Sequence, residues 1–507
     1  MKIRFLFLFS FSLLFSCSGD SGSKIIIEEP DLTEGEIQVI SPSQTLSDQN
    51  LPIVIRVKSS DGSTNKNFSK NIHLDFENAF ANRDFFSIRK GVGSIMTRVQ
   101  ADSNFTIGLE NFTGNRTVIL KTEIPQKEYQ ETLAESQTWD SEFDRIITKS
   151  LTIPQGVKLT ILEGTRVLLS DTVNIRIFGE IEVLGTLEKP VHFSSTNWNN
   201  AWGGITYHNQ NSVANFEYTF FTRGGGHPNK VFGHSLSQAV VYTGDNAESN
   251  FENCFFMDNV GKAFGAEKAK VTIDNCLVTR CDTGGEFKES LAKISNSHIL
   301  EMPIDDGKFI DDDNDGFYFY RPHFYSDEYS KVENSVFMIG RDDGIDHNWA
   351  NLEINNCWIE GFMHEGIACS QGNNIKIFNS VVKGCNQGIE AGYNEPNVII
   401  DHCVIVGNDV GLRFGDSYDW GYFGHMNVTN SIIIDNKDNV LNLDLGSMQP
   451  VEGAIEVSFS ILKDTDFNDC TNCLEETPIF DESYFLLPES IGKNAGNDGK
   501  DLGLIPN

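Results

Sequence analysis

Positive charge is scarce in this sequence. Against 72 acidic residues stand 39 Lys and Arg, a net charge of −33 over 507 residues. Nucleic acid needs a basic face for its phosphates, so this balance argues against it. A polyanionic ligand fits only if cations mediate. Most of the acids read simply as a solubilising surface. Long apolar runs are lacking too: beyond the first fifteen residues nothing approaches the ~20 apolar residues of a bilayer-spanning helix. The apolar segments are instead about four residues long, β-branched or aromatic, and bounded by Gly and Asn, as in Asn397-Val398-Ile399-Ile400. They are too short for helices and read as strands.

What the sequence does have is a beat. The phrases Asp315-Gly316, Asp343-Gly344, Glu365-Gly366, Gln387-Gly388 and Val410-Gly411 follow one another at 28, 22, 22 and 23 residues. A second phrase, a small residue usually after Asn, falls at Cys254, Cys276, Ser297, Ser335, Cys357, Ser380, Cys403, Ser431 and Ser460. A fixed period of about 22 residues carrying three short strands is one coil of a parallel β-helix, each coil burying its inward residues against the next. The expected fold is therefore all-β: a right-handed parallel β-helix over residues 136–465, closed by a C-terminal segment, 466–507, and preceded by a small β-sandwich. Cysteines in the small-residue slot read as buried and structural. Cys470-Thr471-Asn472-Cys473 reads as a local disulfide rather than a zinc site.

The chain opens with Lys2 and Arg4 ahead of an apolar run, Phe5 to Phe15, the pattern of a secretory signal over residues 1–17. Leu14-Phe15-Ser16-Cys17 resembles a bacterial lipobox, which implies lipidation of Cys17 and a place on the outer membrane or cell surface, held by lipid alone. Residues 18–34 are small, polar and acidic, as suits a tether. Residues 35–125 alternate without the 22-residue beat and read as an immunoglobulin-like β-sandwich that spaces or presents the rest. A monomer is expected.

Ile153-Pro154-Gln155-Gly156-Val157, Phe178-Gly179-Glu180-Ile181-Glu182-Val183-Leu184-Gly185-Thr186 and Trp202-Gly203-Gly204-Ile205 resemble opening coils of the pectate-lyase-like superfamily of right-handed β-helices. The Asp-Gly-Ile-Asp phrases are also similar to β-helix modules of bacterial surface proteins. These likenesses imply a fold and leave the activity to be argued from residues.

In a stack, equivalent residues of successive coils lie about 4.8 Å apart. Asp315, Asp343 and Glu365 should therefore line one external edge, with Asp311, Asp313, Asp342 and Asp346 nearby. Clustered carboxylates repel unless a hard cation intervenes, and calcium is the expected one. Asp311-x-Asp313-x-Asp315-Gly316 matches the first half of an EF-hand-like loop, while Pro322 stands where the final Glu belongs. Three residues on runs the column Tyr318, Asp346, Ala368, Glu390 and Arg413, in which Glu390 and Arg413, on adjacent coils, should pair. Inserted loops bring Trp349, Tyr418, Trp420 and Tyr422, suited to sugar stacking.

The resemblance to calcium-dependent polysaccharide lyases implies β-elimination on a uronic-acid glycan, with Arg413, Arg341, Arg321, Lys376, His347 or His364 as base. Two alternatives stay open. A glycoside hydrolase would use Asp346 and Glu390, two coils or roughly 10 Å apart. A non-catalytic surface protein would bind glycan or partner along the same edge.

Overall fold

The structure, a computed structural model, describes residues 24–25, 35–226, 235–303, 314–372, 375–392, 394–415, 424–444, 449–451, 454–463, 467 and 470–506. All regular structure among them is β. From Gln137 onward each coil contributes one short strand to each of three parallel stacks. The first sheet includes Ser330–Glu333, Leu352–Asn355 and Ile375–Phe378; the second, Val336–Gly340, Trp358–Phe362 and Val381–Lys383; the third, Ile345–Asn348, Glu365–Ser370 and Gln387–Ala391.

Both recurring phrases are corners. Between the first and second sheets, Asn253, Asn275, Asn296, Asn334, Asn356, Asn379 and Asn430 all have φ between 46° and 54°, a left-handed conformation that Asn tolerates better than other side chains. The small residue that follows accepts a backbone hydrogen bond from the preceding coil. Cys254 N donates to Cys276 Sγ, Cys276 N to Ser297 Oγ, Ser297 N to Ser335 Oγ and Cys403 N to Ser431 Oγ, at 3.1–3.3 Å. Between the second and third sheets the glycine is required by crowding. A Cβ on Gly316, Gly344, Gly366 or Gly388 would lie 2.2, 2.6, 2.7 or 2.6 Å from the carbonyl oxygen of the glycine one coil on.

The three outer faces differ. First-sheet strands alternate buried and half-buried, as in Leu352-Glu353-Ile354-Asn355, and meet water on one side. Second-sheet strands such as Val404-Ile405-Val406 are buried on both sides. Their outer face carries Phe255, Met257, Leu277, Leu300 and Val336, which pack against Ile40, Val54 and Val92 of the N-terminal region. Farther along, Val404, Ile432 and Ile461 pack against Phe480, Leu486 and Leu502. The C-terminal segment thus covers a flank. Cys470 and Cys473 are joined as a disulfide.

The N-terminal region is one curved eight-stranded sheet around its own core. Where two separate layers were expected, the single strand Val92–Leu109 pairs with Gln49–Lys58 through its first half and with Arg116–Lys121 through its second. Nor is this region a detached spacer. Arg56, buried, donates to Asn253 Oδ1 at 3.2 Å and to the Asn275 carbonyl at 2.5 Å. Arg116 reaches the carbonyls of Leu187 and Glu188, and the Lys90 ammonium sits 3.3 Å from the centre of the Trp358 ring. Within the expected tether, Lys24–Ile25 pairs in parallel with Ile479–Phe480.

Candidate functional site

The third sheet carries the constellation. Register places Glu286, Tyr318, Asp346, Ala368, Glu390 and Arg413 in one column on the side of the sheet away from the core, yet all six are buried rather than open to solvent. At the corner where these strands begin stand Asp315, Asp343, Glu365 and Gln387. Where they end, Tyr320 and Trp349 form a bridge, and the Arg321 guanidinium lies 4.8 Å from the Tyr320 ring and 5.4 Å from that of Trp349. An acidic rim and an aromatic rim therefore flank a strand-wide strip, roughly 15 Å at ~3.3 Å per residue.

The acids are not external, as expected, but buried. Each is a rung: Asp343 N donates to Asp315 Oδ1 at 3.4 Å and Glu365 N to Asp343 Oδ1 at 2.9 Å. The physical reason is the corner geometry, which aims the side chain before each glycine along the stack toward the next coil's amide. Gln387 continues the ladder, donating its amide to Glu365 Oε1 while accepting from Arg413 Nη1 at 2.7 Å. That double role explains why an amide replaces the acid at this coil.

His364 closes the cluster. Its Nδ1 lies 3.2 Å from Asp342 Oδ1, 3.1 Å from Asp343 Oδ1 and against Glu365 Oε2. Hydrogen bonds to these three carboxylates raise the imidazole pKa far above its ordinary value. Burial raises the pKa of Asp343, with the Glu365 charge adding to it, and burial likewise raises that of Glu365. The cluster as a whole therefore holds protons more tightly than its members do in water. The side chain of His364 is 52% exposed, so the cluster opens to solvent on its side.

Asp342, Asp343 and His364 present ligand atoms all within 4.8 Å of one another. The carboxylates of Asp342, Asp343 and Glu365 suit calcium; the imidazole among them does not, being the ligand of softer cations. Calcium fits here only with His364 turned outward, which its exposure permits. Asp311 and Asp313, expected in the same set, lie outside the described residues, as do Tyr418, Trp420, Tyr422 and Cys17.

Two expected bases fall away. His347 follows the outward Asp346, and strand alternation turns it inward. It is fully buried, with Nε2 2.6 Å from the Ala350 carbonyl, and burial lowers its pKa to about 4. Lys376 belongs to the outer side of the first sheet, in register with Glu353 and bonded to it at 3.2 Å. Arg341 sits half-buried at the acidic corner beside Asp342, and Arg413 stands in register with Glu390.

Sequence reading missed the floor's upstream end. Lys262 and Glu286 form an ion pair with side chains 0% and 1% exposed, and Ser235 donates both N and Oγ to Glu286 Oε1 at 3.0 and 2.9 Å. Glu286 falls in the Tyr318 column, but the interval between them is 32 residues, so the 22-residue beat does not reveal it.

A family model described as a right handed beta helix region matches residues 238–405. The fold is the right-handed parallel β-helix. No curated protein matches the sequence. Among solved structures, the chain is similar to a mutant of the periplasmic alginate epimerase AlgG (9% identity, 70% of this chain and 77% of that one, TM-score 0.37). It is also similar to pectate lyase Pel9A (15%, 76% and 97%, 0.34) and to an alginate lyase from Paenibacillus sp. (12%, 66% and 98%, 0.28).

Proposed function

We propose that the protein acts on an extracellular polysaccharide at the third-sheet face, by β-elimination on uronic-acid units. The observation that carries this reading is a continuous polar chain. It runs from the solvent-facing His364 cluster through Glu365 and Gln387 to Arg413, beside Glu390 on the floor. Asp342, Asp343 and Glu365 would hold calcium, which when bound neutralises the uronate carboxylate and acidifies the adjacent C–H. Arg413, Arg341 and Arg321 are the groups left to take the proton; His364, whose hold on its own proton is strengthened by three carboxylates, is not one of them. As the C–H bond breaks, the new double bond forms and the glycosidic oxygen departs with the bonding pair, to be protonated. Tyr320 and Trp349 supply the opposite, aromatic rim.

The test is a panel of acidic polysaccharides with calcium, read at the ultraviolet band of unsaturated uronates. A second reading rests on Asp346 and Glu390, two rungs apart in one column. At ~9.6 Å this lies at the upper end of the inverting-hydrolase range. Reducing ends released without ultraviolet absorbance would select it, and binding without any product would leave a glycan-binding module. Export and anchoring through Cys17 belong to the same proposal, and mass spectrometry of the native amino terminus decides them.

A further inference from the structure

The loop after Tyr320 does not lie over the third-sheet floor. It folds back along the axis: Phe324 N donates to the Glu289 carbonyl at 2.9 Å, and Tyr325 Oη reaches Asp245 Oδ1 at 2.7 Å, 80 residues earlier in the chain. Between this loop and the corner that joins the third sheet to the first lies a recess of about 400 Å³, within the size range of ligand sites.

Its lining is informative. It is lined by Asn211 and Asn246, by His323 and Tyr325, and by Lys268 and Lys270 together with Glu248 and Glu328, a wall more polar than apolar but mixed. Such a surface does not suit an apolar ligand. Its charges balance, so it does not suit a bare anion or cation either. A mixed wall of amide-, lysine- and carboxylate-bearing residues with His323 and Tyr325 suits a polyhydroxylated ring with one polar edge and one C–H face.

The rings are held in place while exposed. Phe324 and Tyr325 are 57% and 50% exposed, packed edge to face at 5.0 Å, with the Lys268 ammonium 4.4 Å from the Phe324 ring centre. Fixing two large aromatics in water costs ordering entropy and hydrophobic burial, a cost that a ligand covering them would offset. The loop starts at Arg321, which also contacts the aromatic rim of the third-sheet face. Recess and rim are thus adjacent along one corner.

We infer that this recess is a saccharide subsite, taking a short stretch of the polymer whose other units lie on the third-sheet face. The inference rests on the polysaccharide reading above and adds a second point of attachment to it. The protein therefore grips long chains better than short ones.

The experiment is calorimetric titration of the purified protein with polygalacturonate oligomers of two and of eight units, and with cellohexaose as a neutral probe. It is run on the unsubstituted chain, on Tyr325→Ala, on Asn246→Ala, which leaves the loop's own contacts intact, and on Glu390→Gln on the floor. Either recess variant should weaken the eight-unit oligomer or the neutral probe about tenfold, with unchanged circular dichroism and little effect on the dimer. If both recess variants bind every probe as the unsubstituted chain does while Glu390→Gln loses affinity, the subsite is overturned and the third-sheet reading stands. If the recess variants lose affinity and no product forms from any polymer, the subsite stands and the lyase reading fails. Absence of binding to all probes by the unsubstituted chain overturns the subsite.

Discussion

Replacing Gly344 by Ala separates two accounts of the repeated acid-glycine phrase. If glycine serves turn conformation, alanine should be mild here, since the φ of Gly344 is not in the left-handed region. If glycine serves close stacking, alanine should be severe. Its Cβ would sit 2.6 Å from the Gly366 carbonyl oxygen, 2.9 Å from Ile359 Cγ2 and 3.1 Å from Phe362 Cε2, against ordinary contact at 3.4 Å and beyond. Relief requires neighbouring coils to part by about 0.8 Å, in a stack whose rungs are set by hydrogen bonds at ~4.8 Å. Gly344 N to the Glu365 carbonyl, at 3.0 Å, is one of the bonds that would stretch. Overpacking of this kind costs about 1–3 kcal/mol, and the upper end applies because the obstacle is backbone. Gly384 is the control: its φ is 63° and a Cβ there meets nothing within 4 Å. Gly384→Ala should cost only the left-handed penalty, about 1–2 kcal/mol, and Gly384→Asn less. Urea unfolding followed by circular dichroism, with hydrogen exchange to localise the damage to the coils around Gly344, reads both. The stacking account is refuted if Gly344→Ala is no more destabilising than Gly384→Asn.

Ser335→Ala should cost about 1–3 kcal/mol, because the buried Ser297 N–H, now 3.2 Å from Ser335 Oγ, loses its acceptor. Ser335→Cys should restore most of it, since sister coils use Cys there. Calcium at a hundred times its Kd should stabilise the protein by about 2.7 kcal/mol, and Asp343→Asn should abolish that gain; a titration of the apo protein showing no heat at millimolar calcium would remove the cation from the mechanism. In chelator, stability should fall as pH rises. The folded pKa of His364 is raised, so its contribution is complete below the unfolded value of ~6.5 and fades as pH climbs through the folded one. The raised pKa values of Asp343 and Glu365 act in the same sense, stability being lost as pH rises above ~4 through their folded values. His364→Gln should therefore approach the unsubstituted protein in stability at high pH and fall short of it at low pH; thermal melts between pH 5 and pH 9 check this.

The coil and its register were legible because both corners impose backbone demands that few residues meet. Asn tolerates the left-handed corner, and only glycine fits the crowded one, so the phrases recur wherever a coil turns. From that register the column through Tyr318, Asp346, Ala368, Glu390 and Arg413 could be drawn without coordinates. The direction of a corner side chain could not. Asp315, Asp343 and Glu365 looked external because they precede turns, yet each lies along the stack and accepts an amide. His347 was misread by one residue of alternation. The docking of the N-terminal sheet was half visible: apolar runs such as Phe255-Phe256-Met257 announce that both faces are covered. Which segment covers which coils depends on contacts some 200 residues apart, such as Arg56 to Asn253 and Asn275, and no local pattern records them.

Whether the ladder needs its charge can be judged from the same corner. Cys385 N donates to Asn408 Oδ1 and Asn408 N to Asn436 Oδ1, both at 2.9 Å. Neutral amides thus cap the stack there without burying a charge, and in the acid column itself Gln387 takes over two coils after Asp343. Burying an ionised carboxylate costs several kcal/mol unless it is well paired, and a half-exposed histidine shared among three acids offsets only part of that. The fold therefore does not require the charge at Asp343, and charge kept at a net cost in stability points to a chemical use. The consequence is specific: in chelator at pH 8, Asp343→Asn should match or exceed the stability of the unsubstituted protein, since Asn Oδ1 can still accept from Glu365 N. The same variant should lose its calcium response and its polysaccharide activity. A loss of ~3 kcal/mol in chelator would show instead that the carboxylate is a structural rung, and the cation-assisted reading of the rim would lose its strongest support.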